Sequence, residues 1–127
     1  MMNKFELLER TKMFSTSIVK LVDSFPKTIA GYELGKQIIR SGCSVGANYR
    51  ASCRAKSDAD FSYKISVVLE EADETLFWLE LLEEAKIIEE HKLKTIKEEN
   101  TSLVKIFAAT LKTVRAKASN LKSKNRN

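Results

Sequence analysis

Proline occurs once in this 127-residue chain and glycine four times. So little turn chemistry excludes an all-β protein built from many hairpins and favours long helices. Histidine also occurs once, at His91. Any Ser-His-Asp or Cys-His arrangement would have to use that residue, which sits in the least patterned part of the chain. The two cysteines, Cys43 and Cys53, fall in one helical segment, where a rise of about 1.5 Å per residue separates them by roughly 15 Å. That distance excludes a disulfide between them, and neither a CxxC spacing nor a second histidine completes a zinc site. No apolar run approaches the ~20 residues of a membrane span, and no signal pattern opens the chain. A cytoplasmic protein without cofactors is expected.

Acidic residues are missing altogether after Glu99. The formal charge of +5 hides strong segregation: residues 1–56 carry a net +6, residues 57–90 a net −9 and residues 91–127 a net +8. Such blocks point to an anionic partner, to complementary packing of acidic on basic helices, or to both.

What is present is helical periodicity. Phe14, Ile18, Leu21, Val22 and Phe25 predict a first helix from Asn3 to Ser24, with Phe5 and Leu8 extending the stripe and Asn3 with Glu6 at capping-box spacing. Pro26 ends it. A second helix runs from Thr28 or Tyr32 to Ala55 and turns to small residues after Arg40. Gly42 and Gly46 inside it cost about 1 kcal/mol each relative to alanine, so a close neighbour is expected there. Ser57 caps a third helix, with Asp60 at the N3 position, whose seam is Phe61, Ile65, Val68, Ala72, Thr75, Leu79 and Leu82. The next break falls between Lys86 and Lys94, with no glycine or proline to place it. Val104, Phe107, Leu111, Val114, Ala118 and Leu121 then mark a fourth helix.

The predicted fold is all-α, an up-down-up-down four-helix bundle spanning residues 1–121, with 122–127 as a frayed basic tail. Tyr63, Val67, Phe77, Trp78 and Leu81 form a second apolar face on the third helix, more than a monomeric bundle needs, and are assigned to an oligomer interface. Phe61, Leu76, Trp78 and Leu79 are expected to pack. Glu70, Glu71 and Glu74 include an ExxE spacing, but the chain cannot supply the Glu-x-x-His motifs of a di-iron bundle. They are read instead as a structural network with Asn48, Arg50 and Arg54, and no metal is expected. The basic cluster Lys112, Arg115, Lys117, Lys122, Lys124 and Arg126 is the candidate nucleic-acid contact. It lacks the aromatic interleaving that stacks bases, so binding there would be salt-sensitive and directed at the phosphate backbone.

The motif Arg40-Ser41, Ser44-Val45-Gly46-Ala47-Asn48, then Ser57 with Asp60-Phe61 and the Glu and Leu series of the third helix, resembles a known family. These are the bacterial four-helix bundle proteins encoded by intervening sequences in large-subunit ribosomal RNA genes. They are also described as ribosomal protein S23-like, and they are similar to the accessory variability determinant of diversity-generating retroelements. The chain departs from many members after Asn48, where it reads Tyr49-Arg50-Ala51-Ser52. The resemblance implies a homopentameric barrel of four-helix subunits. Through the retroelement protein it further implies a basic surface that contacts RNA or DNA and a reverse transcriptase. The expected function is a non-enzymatic accessory or chaperone-like factor binding nucleic acid, the alternative being a protein-protein scaffold with no nucleic-acid role.

Overall fold

The computed structural model describes residues 2–124. Asn3 starts the first helix, α1 (Lys4–Val22), by accepting the Glu6 backbone N–H at 2.9 Å while its amide donates to the Glu6 carboxylate at 3.1 Å. The buried line of α1 is Leu7, Thr11, Phe14 and Ile18. Phe5, expected to extend that stripe, instead lies on the neighbouring face and is 74% exposed.

Thr28 caps α2 (Ile29–Ser52), accepting the Gly31 N–H at 3.1 Å. The two interior glycines let α1 and α2 meet closely. A Cβ on Gly42 would stand 2.8 Å from Ile18 carbons, and one on Gly46 would stand 2.8 Å from the Ser15 hydroxyl and 3.2 Å from the Thr11 carbonyl oxygen. Ser15 fastens the crossing, donating to the Gly42 carbonyl at 2.8 Å and accepting the Gly46 N–H at 3.3 Å. The helix-propensity cost of the glycines is thus offset by packing that no side chain would permit.

Ser57 caps α3 (Asp58–Glu84), accepting the Asp60 N–H at 3.0 Å. The Asp60 carboxylate accepts the Lys56 N–H at 3.0 Å and the Lys64 ammonium at 2.9 Å. Those bonds, the backbone one foremost, hold its pKa below the ordinary aspartate value. Six of the seven predicted seam residues, from Ile65 to Leu82, are fully buried, and Phe61 is half-buried at the end. Leu79 is therefore core, Trp78 is half-buried and packed against the core, and Leu76 is half-buried. α3 ends in a Schellman turn, with Lys86 N–H on the Glu83 carbonyl and Ile87 N–H on the Leu82 carbonyl, both at 3.0 Å. Lys86 takes the left-handed position at φ 56°, where glycine is usual.

The last helix, α4 (Glu90–Lys124), buries Leu93, Ile96, Asn100, Leu103, Phe107 and Leu111. The predicted stripe corrects at both ends. Val104 and Val114 are half-buried, while Ala118, on an open groove against the first turns of α3, and Leu121 are exposed. Lys122, expected to begin a frayed tail, is helical, as is everything through Lys124. Arg126 lies outside the described residues.

All four elements are helices, each packed on its sequence neighbour, and α4 returns to close sparsely on α1. Phe14, Ile18, Ile38, Val45, Ile65, Leu79, Leu93 and Phe107 fill the centre. A buried polar layer crosses it. The Ser41 and Thr75 hydroxyls hydrogen-bond at 2.8 Å, and the Asn100 amide donates to the Ala72 carbonyl at 2.9 Å. The α1–α4 seam is clasped by Arg10, which grips Glu99 with two nitrogens and also donates to Ser102 at 2.8 Å. The Glu99 carboxylate raises the Arg10 pKa above its ordinary value.

Candidate nucleic-acid interface

Every described residue of α4 from Arg115 onward is exposed, so this segment forms an arm along the start of α3. Lys112, Arg115, Lys117, Lys122 and Lys124 all lie on or beside it in solvent. Among the described residues, none of the five has a carboxylate at ion-pair distance. Helical geometry spreads them around the axis. Lys112, Arg115 and Lys122, at spacings of three and seven, lie toward one side, and Lys117 and Lys124 lie on another. Val114, Arg115, Ala118, Ser119 and Lys122 flank an open groove whose other wall is Asp58, Ala59, Ser62, Tyr63 and Ser66 of α3.

The acids of α3 do pair across the α2–α3 seam, but with a different arginine. Arg40 bridges Glu71 at 3.3 Å and also contacts Glu74, whose carboxylate accepts the Trp78 indole N–H at 3.3 Å. Register explains the correction. Ser41 sits opposite Thr75, which sets Arg40 beside the acids and carries Arg50 and Arg54 past them toward the first turns of α3. Both are exposed and, among the described residues, without a carboxylate partner. Glu70 faces solvent, and Asn48 donates to its own helix at the Ser44 carbonyl, 2.9 Å away.

The residues assigned to a subunit interface divide in two. Tyr63 and Phe77 are 67% and 54% exposed, whereas Val67, Trp78 and Leu81 are half-buried. The Phe77 ring stands edge-on to Trp78 at 5.1 Å. Among the described residues, no group of three His, Cys, Asp or Glu side chains is placed to hold a metal ion, and no helix is long and apolar enough to cross a membrane.

A second basic surface was not found by sequence reasoning. An open groove of about 530 Å³ runs between α1 and α2, rimmed by Lys4 and Lys12 on one side and Arg50 and Arg54 on the other. Ser15, Cys43, Gly46 and Ala47 contribute to its lining, Phe5 stands at one end, and Glu9 is its one acid. The signal available in the sequence was a pair of arginines four residues apart, Arg50 in the last turn of α2 and Arg54 just past its cap, opposite lysines eight apart on α1, which only the α1–α2 register brings together.

Residues 3–109 match the family described as 23S rRNA-intervening sequence protein. The chain belongs to that family. A solved relative is the crystal structure of a protein of unknown function from the S23 ribosomal protein family of Bacteroides thetaiotaomicron. It is 33% identical, with the alignment covering 87% of this chain and 99% of that one at a TM-score of 0.75. No curated protein matches the chain. The family match takes in the whole α1–α2 groove and stops at Ala109, short of the α4 arm.

Proposed function

We propose that this intervening-sequence family protein is a non-enzymatic, oligomeric helical bundle that binds nucleic acid through basic surfaces repeated in each copy, as an accessory or chaperone-like factor. The observation that carries this reading is the acid-free arm, where Lys112, Arg115, Lys117, Lys122 and Lys124 are exposed and have no carboxylate partner among the described residues. Cations at a helix C-terminus also complement the helix dipole, but that effect fades within the last turn and needs no more than one or two of them. The remainder suit phosphate contact, in which each neutralised phosphate releases counterions. Exposed Tyr63 and Phe77 support self-assembly, which would multiply a weak patch by avidity.

Charge reversal tests the arm. In a fluorescence-anisotropy titration with RNA and with DNA at low salt, Lys112→Glu combined with Arg115→Glu is expected to weaken binding at least about tenfold. The log-log salt dependence should fall by about 1.4 to 1.8 for two lost phosphate contacts. Unchanged affinity would remove the arm from this reading. The second reading, a scaffold without nucleic acid, is favoured by the exposed Tyr63 and Phe77 beside the acids of α3. It takes over if no nucleic acid binds at low salt.

A further inference from the structure

We infer that the groove between α1 and α2 is a separate binding site for a single-stranded nucleic-acid segment, with phosphates held by Lys4, Lys12, Arg50 and Arg54 and a base stacked on Phe5. The inference adds a location to the nucleic-acid reading above, and it can fail while the arm stands.

Four cations, two from α1 and two from the end of α2 and the turn after it, line one concavity, against the single acid Glu9. Arg50 and Arg54 have no intramolecular carboxylate among the described residues, so their planar, five-donor guanidinium groups remain free to take phosphate oxygens in pairs. Their position at the end of α2 also complements that helix's dipole, but the dipole accounts for neither Lys4 and Lys12 on the opposite rim nor the shape between them. That shape comes from the close crossing at Gly46 and Ser15, which leaves small side chains, Cys43, Gly46 and Ala47, along the lining. No long side chain of α2 stands between the rims at that point, and a backbone can approach.

The groove has an aromatic ring on its own helix α1, whereas the α4 segment carries none and meets only Tyr63 on the facing wall of α3. Phe5 is 74% exposed at the groove's end, with the Lys4 ammonium 5.4 Å from its ring centroid. A phenylalanine so placed adds nothing to the core, and a flat ring beside a cation is the platform on which an unstacked base rests. Lys4 to Lys12 spans about 12 Å along α1, room for a short run of strand. A duplex offers phosphates but no free base face, so the combination selects a single strand.

The test uses the full chain and a short fluorescein-labelled oligouridine, read by anisotropy across a salt series. Arg50→Glu with Arg54→Glu is expected to weaken binding more than tenfold and to flatten the log-log salt slope by about 1.4. Phe5→Ala is expected to weaken it about tenfold with the slope unchanged, since stacking releases no counterions. Both variants alter exposed side chains, and helicity with melting temperature checks their fold; the milder Arg50→Gln with Arg54→Gln replaces the reversal if it fails that check. Wild-type affinity in the folded arginine variant overturns the inference. If only the Lys112 and Arg115 reversal weakens binding, the arm reading stands and the groove falls. If wild-type protein does not bind oligouridine at low salt, the groove falls, and the arm is decided by the RNA and DNA titration with Lys112→Glu and Arg115→Glu. Equal affinity for polyglutamate at matched charge also overturns it, because the groove would then select acidic chains of any kind.

Discussion

The α4 arm and the α1–α2 groove are both basic, yet they are built by opposite means. The arm concentrates five exposed lysines and arginines on one helix, which points them in several directions, only Arg115 and Lys122 lining the groove against α3. The groove takes two lysines from α1, Arg50 from the last turn of α2 and Arg54 from the turn that follows it, and all four line one concavity. Density along the chain is therefore a different property from convergence in space. A phosphate backbone meeting the arm finds only Arg115 and Lys122 on its shallow groove with α3; meeting the α1–α2 groove, it would find four cations and Phe5. The two also differ in standing within the family, since the matched residues include the groove and end before the arm.

The strongest way to break this contrast is to remove the floor. Gly46→Val would drive a branched side chain into the Ser15 hydroxyl and the Thr11 carbonyl, which stand 2.8 and 3.2 Å from even a Cβ. Prying α1 from α2 is expected to cost about 1 to 3 kcal/mol in urea unfolding and to impair oligouridine binding with it. An unchanged midpoint would show that the crossing is looser than the geometry states. A smaller effect separates the arginines. Arg40→Ala, which strips a half-exposed partner from Glu71 and Glu74, should cost about 0.5 to 1 kcal/mol, solvent screening keeping it low. Arg50→Ala should stay within about 0.5 kcal/mol of wild type. Equal losses at the two sites would contradict the view that Arg40 is structural and Arg50 is free.

Much of the fold is legible in the sequence, because its signals are local. Asn3 with Glu6, Pro26, and Ser57 with Asp60 mark helix ends by chemistry that acts over three or four residues, and the α3 seam follows from periodicity alone. The turn between α3 and α4 was not legible, because Lys86 occupies a left-handed position that glycine would have announced. The overrun of α4 was hidden for another reason. Periodicity describes a helix face, whereas burial of Ala118 and Leu121 depends on how closely a different helix packs against it. The site was less legible still. Placing Arg40 against the acids, and Arg50 and Arg54 against Lys4 and Lys12, depends on the registers of two antiparallel pairs, which are set by Ser41 with Thr75 and by Ser15 with Gly42 and Gly46. No local motif records those pairings.

The central claim is that basic surfaces on this bundle hold a nucleic-acid backbone. Its most direct test is the binding constant of the intact chain for oligouridine, measured from low to moderate salt and plotted as log K against log salt. With the four groove cations engaged, the slope is predicted to be about −2.8 or steeper. A flat line, or no binding at the lowest salt, contradicts the claim.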